Sequence, residues 1–187
     1  MSLLTREEVP EELTWDLTPI FETKEAWEDA FETLKESYPK ILKFRGTLHE
    51  SAKNLGDFYE VSEDLERQIS NLAIYAHLSH DQDTGNTENS ERYQRMEALF
   101  AEIMGAMSFI QPELASLDPE TVKTWLDEDE RLKNKAHALD KVFRMKDHTL
   151  SDAEERILAL ASPILGAGAE TFGKLTNTDM TFDDVED

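Results

Sequence analysis

Apolar residues recur at intervals of three and four along two long segments in the middle of the chain, and this periodicity constrains the fold most strongly. The first segment runs from Ser51 to Asp81 and the second from Ser90 to Leu117. Each pattern predicts a helix with one apolar stripe. The four residues DTGN between them, at positions 83–86, favour a tight reversal. The sequence therefore predicts a long antiparallel helical hairpin.

The two predicted stripes contain the large side chains that would form the core of this hairpin. They comprise Leu55, Phe58, Leu65, Ile69, Leu72, Ala73 and Ala76 on the first helix, and Tyr93, Met96, Leu99, Phe100, Ile103, Met104, Met107 and Ile110 on the second. Pro112 is expected to bend or end the second helix after about Gln111. Because methionine usually fills irregular gaps in a core, we interpret the three methionines as core, with a peptide groove as the alternative.

Local signals place further helices on either side of the hairpin. Thr23 is expected to cap a helix that stops or kinks at Pro39, with a short continuation closed by Gly46. Asp118 followed by Pro119 predicts another helix start, since aspartate caps and proline suits the first helical position.

The last predicted helix begins with Ser151-Asp152-Ala153-Glu154, the pattern of a capping box. Its apolar face is expected to comprise Ile157, Leu158, Ala161, Ile164 and Leu165. Pro163 is expected to bend this helix, and Gly166 and Gly168 are expected to loosen the chain after it.

These signals predict an all-α fold, a multi-helix antiparallel bundle built on the long hairpin. We divide it into an extended arm at 1–22 with Trp15 and Phe21 as anchors, a helical lobe at 23–178, and a segment at 179–187 that begins an unpaired strand. A lone strand is marginal in water, so we expect the natural protein to continue beyond it.

The charge balance excludes several kinds of partner. Forty-one acidic and nineteen basic residues give a net charge of −22, which disfavours nucleic acid and anionic membrane surfaces as partners. The chain has no cysteine, which excludes disulfides and thiolate chemistry and suits a reducing cytoplasm. Neither a signal peptide nor a membrane-spanning apolar run is recognisable, so we expect a cytoplasmic protein.

Two histidine patterns resemble metal sites without completing one. His49-Glu50 begins an H-E-x-x-H pattern, but Lys53 stands where the second histidine ligand would be. His77 and His80 could share a metal, although two histidines in the last turn of a helix also suit the negative end of its dipole.

A third pattern, at 81–86, starts like a calcium loop. It then places Arg92 where a bidentate glutamate is needed. Ser108 and Ser162 lack the context of a catalytic nucleophile. We therefore assign no catalytic, cofactor-binding or metal-binding residue in this chain.

Three strings in the chain carry a resemblance to a known family. They are VPEELTWDLTPIF at 9–21 with the tryptophan of EAWE (Trp27), AIYAHLSHDQDTGN at 73–86, and HTLSDAEERILALASPILGAGAETFGKLTNTDMTF at 148–182. In order and spacing they are similar to the amino-terminal helical lobe of oligoendopeptidase F, a zinc peptidase of the thimet-like oligopeptidase group. The resemblance spans nearly the whole chain, but it lies in packing and capping motifs.

The resemblance implies that the intact enzyme hydrolyses internal bonds of short peptides, using zinc and an H-E-x-x-H motif supplied by a catalytic domain beyond Asp187. This lobe would form part of the wall around a substrate channel and would be inactive alone. Its partners would be the missing catalytic domain and, for the intact enzyme, short peptides.

Two other interpretations remain open. The first is a binding or scaffold module without enzymatic activity, in which an acidic helical bundle holds a partner in an apolar groove. Truncation of a larger protein could itself expose such a groove and cause self-association. The second is a small metal protein built on His77 and His80.

Overall fold

The computed structural model describes residues 6–176 and Met180, and within them the regular structure is helical. Seven α-helices follow one another: α1 (Lys24–Ser37), α2 (Ala52–Gln82), α3 (Thr87–Met107), α4 (Ile110–Ser116), α5 (Pro119–Glu128), α6 (Ala136–Arg144) and α7 (Asp152–Lys174). Short 3-10 helices lie at Arg6–Glu8, Glu11–Leu13, Tyr38–Phe44, Glu130–Lys135 and Lys146–His148. The all-α prediction is confirmed. The predicted strand at 179–187 lies outside the described residues, apart from Met180.

The predicted hairpin is formed by α2 and α3, which pack against each other across the turn at 83–86. Asp83 ends α2, and the Asn86 side chain caps α3 by accepting a hydrogen bond from the backbone N–H of Asn89 at 3.1 Å. The shared core includes Leu65 and Leu72 from α2 and Met96, Leu99 and Ile103 from α3. Helix α1 and the Tyr38–Phe44 segment cover one flank of this hairpin.

The second hairpin helix ends earlier than its sequence pattern predicts. Helix α3 stops at Met107, and α4 begins at Ile110 with Pro112 in its first turn. Proline lacks a backbone N–H and its ring clashes with the carbonyl four residues earlier, here Ser108, so the break falls before Pro112 and not at it. Proline is tolerated in the first turn of α4 because those N–H groups have no helical partner.

The cap predictions are confirmed. Side chains of Thr23, Asp118 and Ser151 each accept a hydrogen bond from the backbone N–H three residues later. Ser51, which was not predicted as a cap, does the same at the start of α2. Helix α1 ends at Ser37, just before Pro39, and Gly46 takes a positive φ of 77° where the short continuation closes.

The amino-terminal arm differs in part from its prediction. The arm was predicted to be extended, whereas residues 6–13 contain two short 3-10 helices. Phe21 packs edge-to-face on Tyr75 of α2, with ring centroids 5.5 Å apart. Trp15, however, is 54% exposed, so it does not anchor the arm in the core.

Helix α7 extends further than predicted, because Gly166 and Gly168 do not loosen it; the bend at Pro163 stays a prediction. The helix runs without interruption through Pro163, Gly166 and Gly168, although proline removes one helical hydrogen bond and each glycine costs about 1 kcal/mol relative to alanine. Packing of α7 along α3 offsets these costs, because most helical stability in proteins comes from tertiary contacts. Among the described residues, none of the helices combines the length and apolarity needed to cross a bilayer.

Candidate functional site

The surface with the strongest functional signal is built around α7, which packs lengthwise on α3. Its amino terminus is fixed by Asp152, whose carboxylate accepts hydrogen bonds from Arg45 Nη1 at 2.9 Å and from Ser108 Oγ at 2.7 Å. Ser108, which we considered as a nucleophile, thus holds two helices together. Midway along the interface Leu160 lies against Gly105, where an added Cβ would be 3.1 Å from Leu160 Cδ2. The missing side chain at Gly105 allows the close approach of α7.

The opposite side of α7 carries an apolar stripe that faces away from the rest of the lobe. Its members recur at helical spacing, and its large side chains are exposed, with Ile164 at 79% and Leu165 at 74%. The stripe consists of Ile157, Ala161, Ile164, Leu165, Gly168, Phe172 and Leu175. We call these residues the outer stripe. Four of the five residues predicted for the apolar face of this helix belong to the outer stripe, whereas Leu158 lines a groove beside α3. The stripe is not buried within the described part of the chain.

A groove with a volume of about 830 Å³ runs between α3, the end of α2 and the inner side of α7. Its α7 wall is made largely of small residues, while Phe100 and Met104 of α3 are part of its apolar lining. Both side chains were predicted to belong to the hairpin core, yet each is about two-fifths exposed. Of the three methionines considered for a groove, Met96 is fully in the core, Met107 is partly buried, and Met104 lines the groove.

The polar end of this groove contains His77 and His80, but both histidines have local partners. The His80 ring stacks on Tyr93 with centroids 5.1 Å apart, and its Nδ1 lies 3.3 Å from Ser90 Oγ. His77 Nε2 lies 3.3 Å from an Asp81 carboxylate oxygen. Within the described residues, no cluster of three or more His, Asp or Glu side chains could hold a metal ion.

Carboxylates gather around Tyr93 at the same end of the groove. Burial raises the pKa of Tyr93, and the nearby negative charges of Glu97, Glu170 and Asp81 raise it further. Glu170 in turn pairs with Lys174 at 2.9 Å. The groove therefore combines an apolar floor with a mainly acidic end.

The two remaining sequence patterns lie at the two ends of α2. His49 is exposed in the turn before Ser51, the residue that caps α2. The Asp83 side chain accepts a hydrogen bond from the backbone N–H of Gly85 at 3.2 Å, so the 81–86 loop uses this oxygen to shape the turn.

Arg92, which ruled out the calcium-loop interpretation, is 3% exposed inside the lobe. It donates to Glu88 at 2.8 Å and to Asn89 at 3.1 Å, and it lies over the Trp27 ring. The sequence did not predict that Arg92 is buried, because the spacing of Glu88 and Arg92 by four residues indicates only a surface ion pair.

For the part of the chain that the structure describes, these features define a class of protein: an acidic helical lobe with an uncovered apolar face on α7 and a groove beside it. Comparisons with known proteins are consistent with this class. A family model for the amino-terminal part of peptidase family M3, described as Oligopeptidase F, matches residues 113–182. That segment contains α5, α6 and α7, and therefore the whole outer stripe.

Individual relatives match almost the entire chain. Oligopeptidase PepF of Bacillus subtilis (strain 168) is 34% identical over 182 residues, which is 97% of this chain and 27% of the relative. Group B oligopeptidase PepB of Streptococcus agalactiae is 37% identical over 177 residues, 95% of this chain and 30% of the relative. The crystal structure of oligoendopeptidase-F from Enterococcus faecium superposes with a TM-score of 0.78 at 32% identity, covering 86% of this chain and 30% of that one.

The chain is therefore a homologue of oligoendopeptidase F and corresponds to the amino-terminal helical part of that family. It spans 27–30% of the length of these relatives.

Proposed function

We propose that this chain is the amino-terminal, non-catalytic lobe of an oligoendopeptidase F-like zinc metallopeptidase that hydrolyses internal bonds of short peptides. The observation that carries the proposal is that most of this chain matches about 30% of the length of proteins whose names denote oligopeptidases. The three segments expected from the sequence, 1–22, 23–178 and 179–187, would then be an arm, the lobe, and the connection to a catalytic domain.

The lobe helps to enclose the substrate channel in this proposal. A channel wall needs a rigid body, which the α2–α3 hairpin and its capped neighbours provide, and a surface that suits peptides. The groove beside α7 offers apolar side chains for peptide residues and carboxylates for positively charged groups. Such a wall limits access to short, unfolded peptides.

Zinc does not fit the described residues of this lobe. The H-E-x-x-H motif that would bind it is not present in the 187 residues, and the described residues hold no suitable ligand cluster. The catalytic domain would supply both the metal and the catalytic glutamate, so the lobe alone would be inactive. We place the intact enzyme in the cytoplasm, which the absence of cysteine in this chain suits.

A second candidate function is an acidic binding or scaffold module without enzymatic activity. The exposed outer stripe of α7 favours it, because an uncovered apolar face of this kind often marks an interaction site. Only this second candidate would predict self-association of the isolated lobe through that stripe.

Cleavage of a quenched fluorescent short peptide tests the proposal. The 187-residue chain should show no activity with added zinc, whereas the native-length polypeptide should cleave the peptide internally and lose activity with a chelator. A native-length variant with glutamine in place of the H-E-x-x-H glutamate is the matched control. Activity in the short chain would overturn the assignment of a non-catalytic lobe, and an inactive native-length protein would favour the binding module.

A further inference from the structure

The outer stripe of α7 combines strong exposure with a complete lack of charge. From Ile157 to Ala169 the helix contains no charged residue, although charged residues make up 32% of the chain. A helix that is apolar on both sides is normally buried on both sides. The inner side of α7 lies on α3, but Ile164, Leu165 and Phe172 on the outer side are each at least two-thirds exposed.

We propose that the outer stripe of α7 is the docking face for the remainder of the same polypeptide, the part that lies beyond the matched region in the longer relatives. This inference rests on the proposed function, and it identifies which surface of the lobe the catalytic domain covers. Helix α7 would then be a shared core element between two domains, packed on α3 from one side and on the catalytic domain from the other.

The greater length of the relatives favours the remainder of the same polypeptide as the partner of the outer stripe. Proteins that match 95–97% of this chain extend to more than three times the matched length, so a large folded mass is available in the same polypeptide. The family model includes all of α7 within its matched range of 113–182. The face is therefore part of the region that this chain shares with the longer proteins.

Charge disfavours a second copy of the lobe as the occupant. Each copy carries a net charge of −22, so two copies brought face to face repel each other. The chemistry of the stripe instead suits an apolar partner surface. From Ile157 to Phe172 it extends about 22 Å along the helix axis, long enough for several turns of a partner helix. Ala161 and Gly168 leave room between the larger side chains for close packing.

Single-cysteine labelling tests the inference, because the 187-residue chain has no cysteine of its own. Leu165→Cys lies in the outer stripe, and Leu13→Cys in the amino-terminal arm is its matched control, since the two leucines are 74% and 73% exposed. In the 187-residue chain both thiols should react with a maleimide at similar rates. In the native-length polypeptide, freed of other reactive cysteines, Leu165→Cys should react at least ten-fold more slowly, while Leu13→Cys keeps its rate.

Each outcome has a definite meaning. Equal labelling of both positions in the native-length protein, or a native polypeptide that ends at Asp187, would overturn the inference. Protection of Leu165→Cys in the short chain that increases with protein concentration would assign the stripe to a second copy instead. Protection in a native-length protein that cleaves no peptide would support the docking face and reject the peptidase function, so the two failures are distinguishable.

Discussion

Gly56 of α2 lies directly against the Arg131 guanidinium: a Cβ at position 56 would be 2.6 Å from Arg131 Nη2. With a side chain at position 56, the guanidinium and the ion pairs that it makes would have to shift. From this position Arg131 pairs with Asp129 at 2.6 Å and with Asp57 and Glu60 at 2.9 Å each. One cation thus links the segment after α5 to the first half of α2.

Gly56→Ala should destabilise the lobe even though alanine favours a helix by about 1 kcal/mol. Overpacking at a buried site costs about 1–3 kcal/mol, so we expect a net loss of about 1 kcal/mol in the free energy of unfolding, measured by urea denaturation. The control is the same substitution in an Arg131→Ala background. There the contact with Arg131 is gone, but the added Cβ would still lie 2.7 Å from Asp129 Oδ2, so Gly56→Ala should be less destabilising than in the wild type. A stabilising effect in both backgrounds would contradict the close packing.

The Arg131–Asp129 pair should make stability depend on pH at the acidic end. Hydrogen bonds from Arg131 lower the pKa of Asp129 from 3.8 to about 2. A lowered carboxyl pKa contributes stability that is fully present above about pH 4 and is lost as the pH falls towards 2. The difference in unfolding free energy between the wild type and Arg131→Gln should therefore shrink over this range. An NMR titration should show the pKa of Asp129 rising towards 3.8 in the variant; an unchanged value would refute the assignment.

Trp27 is the best-buried aromatic anchor of α1, and its loss should be costly. Its indole N–H donates to the Leu72 carbonyl at 3.0 Å, and its ring stacks on Phe31. Trp27→Phe removes the donor and leaves a cavity, so we expect a loss of about 2 kcal/mol in unfolding free energy. Trp15→Phe is the control, since Trp15 is largely exposed and should change stability by less than about 0.5 kcal/mol. Equal effects of the two substitutions would contradict the different depths of these side chains.

The capping box of α7 can be tested at Ser151. Ser151→Ala removes the side-chain acceptor for the Glu154 N–H, and we expect a loss of about 1 kcal/mol. Faster amide hydrogen exchange in the first turns of α7 should accompany it. Ser162→Ala, in the middle of the same helix, should stabilise slightly because of the higher helix propensity of alanine. If Ser162→Ala destabilised α7 as much as Ser151→Ala, the effect could not be assigned to capping.

Local chemistry explains which parts of the fold were predictable from the sequence. Caps such as Thr23 and Asp118 depend on a side chain and a backbone group three residues apart, so neighbouring residues suffice to predict them. The same holds for the turn at 83–86 and for the stop before Pro39. The hairpin of α2 and α3 follows from periodicity alone, because two long amphipathic helices joined by four residues have few other ways to bury their stripes.

Features that depend on distant neighbours were not predictable. Phe100 and Met104 have the spacing of core residues, but a single stripe on α3 has to serve both α2 and α7, and these two side chains lie in the groove between α3 and α7. The depth of Arg92 depends on Trp27, which is 65 positions away in sequence. For α7, periodicity identified an apolar face, but the exposure of Ile164 and Leu165 depends on how the helix lies on α3, which no local pattern predicts.

The turn that joins α2 to α3 also bears on how fast the lobe folds. Asp83 and Asn86 close a very short connection, so the two longest neighbouring helices meet at little cost in loop-closure entropy. Contacts between elements adjacent in sequence form quickly, and helical domains rich in them fold in microseconds to milliseconds. During synthesis the hairpin is complete before α7 has been made. It therefore provides a preformed template on which the last helix can assemble.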